Sequence, residues 1–304
     1  MSAVNNIETV LSSGVRLTVP LAFAALGEYL AERAGTMNIS VEAMMLGGAF
    51  TSIAVASGTG NATIGLVVGM LIGLVIGVVH GNLSHRAEIN TFVVGLTLNM
   101  LVLGLTSYFI ATHNYASHQV SQLKIPGLRD IPVIGPPLFV ERWPAYLLVG
   151  LIPLTWWLIE RSRWGLELRA VGENPQAADV TGIHVNKRKR QALMWCGLLA
   201  GLGGAYLAIG EVGSFNQNMT AGRGYLVIAA VIFGGWRLGR TLVGCALFGL
   251  ATAGYLALPA LGVNLNNEFL IAAPYLLALL AMLFFATQHR EPRALAKPFE
   301  RGST

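Results

Sequence analysis

The sequence predicts an all-α, polytopic membrane protein, and three observations carry that reading. Of the 304 residues, 54% are hydrophobic and only 12% charged, whereas a soluble domain carries roughly 25% charged residues. The apolar residues gather into runs of the length a bilayer requires, about 20 residues for a helix. The Lys and Arg residues fall in the loops between those runs, as positively charged loops do on one side of a membrane. A mean hydropathy of +0.60 agrees.

Taken in order, the spans lie near 9–28, 40–57, 62–80, 90–112, 144–160, 191–210, 222–236, 241–258 and 268–286. That makes nine, within a range of eight to ten, and the seventh is short enough to be broken or re-entrant. Residues 1–287 form one transmembrane domain and 288–304 a tail. The stretch "KIPGLRDIPVIGPP" is too rich in proline to span, so 113–143 is an external loop. The start "MSAVNNIETV" has neither a basic region nor a small-residue cleavage site before the first apolar run, so a cleaved signal peptide is not expected.

Basic residues set the orientation. The 161–190 loop holds Arg161, Arg163, Arg169, Lys187, Arg188, Lys189 and Arg190, and the tail adds Arg290, Arg293, Lys297 and Arg301. Four spans separate the two regions, so both face one side, the cytoplasm by the positive-inside rule. Counting back places the N-terminus outside. "EYLAERAG" (28–35) resembles "AYLAIGEVG" (205–213), and "EAMMLGGAF" (42–50) resembles "AAVIFGGW" (229–236). These copies lie five spans apart, an odd number, which predicts an inverted internal repeat.

Within the spans, Gly65, Gly69, Gly73, Gly77 and Gly81 recur every four residues and make one smooth face for close helix packing. The same surface would also suit helices that slide during gating. Thr91, Gly95, Asn99 and Thr106 share a face of the fourth span. An amide in lipid needs a partner, so this face meets protein or a polar pathway. Asn38 or Ser40 caps the second span, and Glu42 in its first turn complements the helix dipole or belongs to the pathway. Asn216, Gln217 and Asn218, in the polar segment "EVGSFNQNMTAGRGY" on the outer side, are either solvated or in contact with a solute or a docked partner. Asn38, Glu42, Thr91, Asn99, Thr106 and Asn216 are thus the candidate pathway residues.

Several functions are excluded. No phosphate loop G-x-x-x-x-G-K-[ST] and no H-E-x-x-H occurs, and "GLLAGLGGAY" follows no strand, so it is not a dinucleotide fingerprint. No nucleophile–base pairing points to a hydrolase. Asp130 and Asp179 lie outside the spans, and the Glu and His residues lie near predicted span ends, unlike the mid-membrane ionisable groups of an ion-driven carrier. The histidines have no ligand spacing for a metal, and Cys196 and Cys245 fall in apolar runs rather than a disulfide framework. The net charge of +5 fits basic loops at a bilayer, not nucleic acid. Energy for transport must come from another chain.

The stretch "RAVGENPQAADVTGIHVNKRKRQ" (169–191) supplies the place for it. Asn174 can cap a short helix whose first residue is Pro175, running to Val180 and ending at Gly182. Such a helix can dock in a groove of a soluble partner.

"RAVGENPQAADVTGI" resembles the cytoplasmic coupling segment of permease subunits of ATP-binding-cassette importers, in the group that takes branched-chain amino acids, ribose and nucleosides. "LGEYLAERAGTMNISVEAMMLGGAF" and "AGRGYLVIAAVIFGGWRLGRTLVGCALFG" resemble its nucleoside and simple-sugar members. The likeness covers most of residues 15–286. It implies that Gly172, Glu173, Asn174, Pro175, Ala177, Ala178, Asp179 and Gly182 couple the chain to an ATPase, although Glu173 stands apart from Ala177–Ala178, unlike the Glu-Ala-Ala pattern of other importer permeases. It further implies a second permease subunit, identical or related, a cytoplasmic ATPase that binds ATP and Mg, an extracytoplasmic solute-binding protein, and a multi-pass position in the prokaryotic inner membrane. This chain itself would bind no cofactor or metal. The solute would be a nucleoside or simple sugar moved inward by alternating access, and Ala178→Arg would abolish uptake while leaving the protein in the membrane. A self-sufficient channel or facilitator for a small neutral solute is the alternative.

Overall fold

The computed structural model describes residues 3–129, 131, 133, 135–257, 272, 276, 279–280, 291–297 and 299. Its helices are α1 (Ala3–Arg33), α2 (Val41–Thr59), α3 (Ala62–His85), α4 (Thr91–Thr112), α5 (Gly135–Phe139), α6 (Leu147–Glu160), α7 (Arg163–Glu173), α8 (Pro175–Val180), α9 (Val185–Ala205), α10 (Arg223–Phe233) and α11 (Leu238–Ala257). Residues Tyr206–Val212 continue α9 as a π-helix. Seven described segments are long and apolar enough to cross a membrane, and Arg223–Phe233 is a shorter apolar helix. The ninth predicted span, 268–286, lies almost wholly outside the described residues.

The helix starts follow local chemistry. Asn61 Oδ1 accepts the amides of Thr63 and Ile64, and Asn90 Oδ1 those of Phe92 and Val93. Each side chain satisfies donors that the first turn leaves unpaired. At its other end α2 stops at Gly60, in the left-handed conformation with φ +69°, where glycine carries no steric penalty.

The glycine face of α3 is a packing surface. A Cβ on Gly65 would overlap the carbonyl of Ser52 in α2, and on Gly73 or Gly77 it would overlap carbonyls of Gly197 and Leu193 in α9. Backbones therefore touch directly, which dispersion rewards in lipid where no hydrophobic force acts between helices. As α3 advances from Gly73 to Gly77 its partners in α9 recede from Gly201 towards Leu193, so the two run antiparallel. α11 lies along α1 in a similar way, with Gly249 against Thr18 and Gly14 against Leu250. α1 also crosses α9, where Gly27 meets Cys196 and Gly203 meets Pro20.

Three segments depart from the predicted boundaries. α1 continues past residue 28 to Arg33, so Glu28 and Glu32 are fully buried inside the bundle rather than at its edge. α9 begins at Val185, which puts Lys187–Arg190 inside a helix. There Lys189 is buried and donates to the Lys297 carbonyl, while Arg188 pairs with Glu167 at 2.5 Å. The 113–143 loop also has structure of its own: strands β1 (Gln122–Lys124) and β2 (Val140–Arg142) pair antiparallel with Leu123 opposite Glu141. The tail folds against the 161–190 segment: Ala294 N–H donates to the Gly172 carbonyl at 2.9 Å, and Ala296 N–H to that of Gly35 at 3.2 Å.

Candidate functional site

Both α2 and α10 begin inside the bundle, and their first turns meet. Glu42, in the first turn of α2, accepts the Thr220 hydroxyl at 2.6 Å, the Gly222 amide at 2.8 Å and the Gly224 amide at 2.6 Å. Those amides open α10, whose unpaired N–H groups and dipole favour a carboxylate. Glu42 thus stands in the first turn of α2, while its carboxylate caps a helix 180 residues away. A Cβ at position 224 would lie 2.6 Å from the Glu42 backbone nitrogen, so only glycine permits this approach.

The cap of α2 itself comes from α4. Asn99 Oδ1 accepts the Ala43 amide at 2.9 Å, and Asn99 Nδ2 donates to the Ile39 carbonyl at 3.1 Å and the Tyr225 hydroxyl at 2.9 Å. Gly95 brings α4 close to Ile39. Thr106 bonds back to Val102 of its own helix at 2.8 Å. The polar face of α4 therefore ties α4 to α2 and α10, with both Asn99 amide protons engaged. Ser40 stands at the N-cap position of α2 without capping it by its side chain.

Beneath this junction lies a buried polar chain that joins Asn38, Ser40 and Thr91 to His80, Cys196, Glu28 and Glu32. Ser40 donates to Asn38 Oδ1 at 2.7 Å and lies 2.6 Å from His80 Nδ1. His80 Nε2 lies 2.8 Å from the Thr91 hydroxyl, which also lies 3.4 Å from the Met37 carbonyl. Asn38 Nδ2 donates to Cys196 Sγ, which donates in turn to Glu28 Oε2 at 3.3 Å. Glu28 also accepts the Asn38 amide, and Glu32 accepts the Trp236 indole N–H at 2.5 Å. Six segments are thereby joined through polar groups that pair with one another, as a bilayer interior demands. The one sequence signal was the i, i+4 spacing of Glu28 and Glu32; Cys196 and Trp236 are remote in the chain.

On the other side of the junction, α4 and the 213–222 segment line a cavity of about 490 Å³ whose walls are Met100, Leu103, Gly104, Ser107, Gln217 and Asn218. Gln217 Nε2 donates to Ser107 Oγ at 3.2 Å. The α4 wall presents Met100, Leu103, Gly104 and the Ser107 hydroxyl, and the other wall the amides of Gln217 and Asn218. Among the described residues no ionisable group lines it. Asn216 is exposed beside it.

At the far end, Asn174 Oδ1 caps α8 through the Ala177 amide at 3.0 Å, with Pro175 as first helical residue, as the sequence predicts. Gly182 is left-handed at φ +89°. Gly172 is buried, its Cα so close to the Arg33 carbonyl that a side chain would overlap it. Ala178 is 4% exposed, packed with Val171, Val185 and Phe299, whereas Val180 is 89% exposed. The predicted use of Ala178 as a docking contact is thus corrected, since its methyl faces the protein. The outward face comprises Glu173, Asn174, Gln176, Ala177 and Val180.

Residues 10–287 match the family described as branched-chain amino acid transport system / permease component. The chain belongs to this family. It is 31% identical to the guanosine ABC transporter permease protein NupQ of Bacillus subtilis, over 99% of both chains. It is 30% identical to the nucleoside ABC transporter permease protein NupC of Lactococcus lactis, over 97% of each, and 29% identical to the ribose import permease protein RbsC of Escherichia coli, over 90% of this chain and 78% of that one. No solved structure matches. As an ABC permease, the chain is a multi-pass transport component of the prokaryotic inner membrane and not an enzyme. Its family works with ATPase and substrate-binding partners.

Proposed function

We propose that this permease carries a nucleoside inward along the surface where α4 meets the 213–222 segment, driven by an ATPase docked on α8. The cavity between Met100, Leu103, Gly104 and Ser107 of α4 on one side and Gln217 and Asn218 on the other carries this reading. A largely apolar helix face with one hydroxyl, opposite two side-chain amides, suits a neutral solute with a flat base and a hydroxylated sugar better than a bare sugar. Two of the relatives are named for guanosine and nucleosides, which agrees. Asn216 and the Glu42–α10 junction border this path; Asn38, Thr91, Asn99 and Thr106 hold the helices that form it.

The nine-span topology with an outside N-terminus and a cytoplasmic tail is part of the same proposal, as are the single domain over 1–287 and the inverted repeat. α3 on α9 and α11 on α1, both antiparallel, are what two inverted halves would give. Residues 161–190 then face the ATPase and 113–143 the binding protein, with a second permease subunit completing the path. ATP-driven closure would pull on α8 and α7, which Gly172 seats against the end of α1.

The test is uptake by cells that lack their own nucleoside importers and express the permease with its ATPase and binding protein. Labelled guanosine should accumulate, ribose and leucine should not, and an ATPase defective in its phosphate loop should stop uptake. Accumulation of ribose alone would replace nucleoside by sugar, and uptake that survives the ATPase defect would make the chain a facilitator.

A further inference from the structure

At the end of the bundle that carries α7 and α8, a cavity of about 720 Å³ opens between α1, α6 and the α10–α11 turn. Its lining brings together Arg33, Arg237 and Arg240, with Tyr29, Trp156 and Trp236 as aromatic neighbours. Among the described lining residues the one acid, Glu160, is paired with Arg169 at 2.9 Å, so Arg33 and Arg237 leave those residues with an excess of positive charge. Arg33 Nε is buried without a hydrogen-bond partner among the described residues. Leu238, Gly239 and Arg240 form the first turn of α11, whose amides have no carbonyl of their own helix to bond and favour an anion. Trp236, held left-handed at φ +53°, is fixed by its indole bond to Glu32, so the turn that presents Arg237 is rigidly placed.

The surroundings say what kind of anion fits. Below the cavity the outer faces of α6 and α11 are apolar and exposed, with Leu154 and Trp157 on one and Val243 and Leu247 on the other. Trp156 is half exposed at the rim, and the Arg161 guanidinium lies 5.9 Å over its ring. Tryptophan and arginine together above an apolar face mark the depth of lipid headgroups. A basic pocket between spanning helices at that depth takes acidic headgroups. We propose that this cavity is a binding site for the phosphate of an anionic phospholipid, whose acyl chains run down the apolar faces of α6 and α11.

The test uses the full-length permease, purified in mild detergent and washed with lipid-free detergent. It is incubated with mixed micelles containing phosphatidylglycerol or phosphatidylcholine at equal mole fraction, and the lipid that stays with the protein after gel filtration is counted by mass spectrometry. About one phosphatidylglycerol should remain per chain, in roughly tenfold preference over phosphatidylcholine, and R237Q/R240Q should retain it at least about fivefold less. The charge-preserving R237K/R240K should keep it within about twofold, because a phosphate accepts point charges as well, and this variant separates loss of charge from loss of fold. Equal retention of the two lipids, undiminished retention by R237Q/R240Q, or loss in the lysine variant would each overturn the proposal. Displacement of phosphatidylglycerol by millimolar inorganic phosphate would assign the site to a free anion instead. Loss of a co-purifying ATPase from R237Q/R240Q with lipid retention intact would make the arginines a protein-docking surface, which also overturns it.

Discussion

Glu42 Oε2 and the Gly224 amide, 182 residues apart in the chain, are joined by a 2.6 Å hydrogen bond that fixes the start of α2 to the start of α10. Two helices that both begin inside the bundle would each leave backbone donors unpaired in an environment without water. One carboxylate answers α10, and the Asn99 amide answers α2. The junction is therefore a three-helix node, with Tyr225 in α10 closing it onto Asn99.

Removing the carboxylate should loosen that node measurably. Glu42→Ala leaves the Thr220, Gly222 and Gly224 donors without an acceptor, and hydrogen bonds to a charged group contribute about 1.5–3 kcal/mol each. A loss of roughly 3 kcal/mol or more is expected, seen as a clear drop in thermal unfolding midpoint in detergent. Glu42→Gln should fall between, since its carbonyl can still accept but its amide faces further donors. An alanine variant that unfolds within about 2 °C of the parent would show that the cap contributes little.

Close packing along α3 gives a sharper contrast. Valine at position 73 would be driven into the backbone of α9, while position 104 on α4 has nothing within 4 Å of an added Cβ. Gly73→Val should abolish recovery of monodisperse protein, and overpacking of this kind typically costs 1–3 kcal/mol or more. Gly104→Val should leave folding intact and act, if anywhere, on uptake through the neighbouring cavity. Equal recovery of the two variants by fluorescence-detected gel filtration would contradict the packing description of α3.

Most helix positions were legible in the sequence because hydropathy and side-chain capping are local. Residues 62–85 and 91–112 show it best, each starting after an asparagine that does cap. The end of α1 was not, because Glu28 and Glu32 end the apolar run although burial does not end there. Their partners, Asn38, Cys196 and Trp236, come from other segments, and no periodicity announces them. The start of α9 was hidden by Lys187–Arg190, which read as a solvated exit yet include a buried Lys189 held by the tail. At the coupling segment the sequence supplied the helix, its cap and its stop. It did not supply which face points outward, because that depends on the packing of Ala178 against Phe299.

Glu141 gives a pH signature at the 113–143 segment. Its carboxyl is buried, which pushes its pKa up from 4.5 to about 8, with Arg16 opposing and Glu211 adding to the rise. The folded state thus holds the proton over a range in which the unfolded chain has lost it. Stability from this group is fully present below pH 4.5, declines as pH rises, and is lost once pH passes about 8. Glu141→Gln should flatten the dependence between pH 5 and 8 in thermal unfolding scans. An unchanged slope in the glutamine variant would remove Glu141 as its source.

Val180 and Ala178 should separate docking from folding. Val180 stands at the end of α8 with nearly all of its side chain in solvent, an apolar tip of the kind that fills a pocket on a partner, whereas Ala178 faces inward. Val180→Asp should therefore give normal amounts of well-folded permease that no longer retains its ATPase in a mild-detergent pull-down, with affinity lowered by at least about tenfold for a central contact. Ala178→Arg forces a charged chain among Val171, Val185 and Phe299 and should reduce folded protein before any question of docking arises. Capture of the ATPase by Val180→Asp at the parental level would move the contact elsewhere on the Glu173–Ala177 face. Full recovery of folded Ala178→Arg would contradict the burial of that residue.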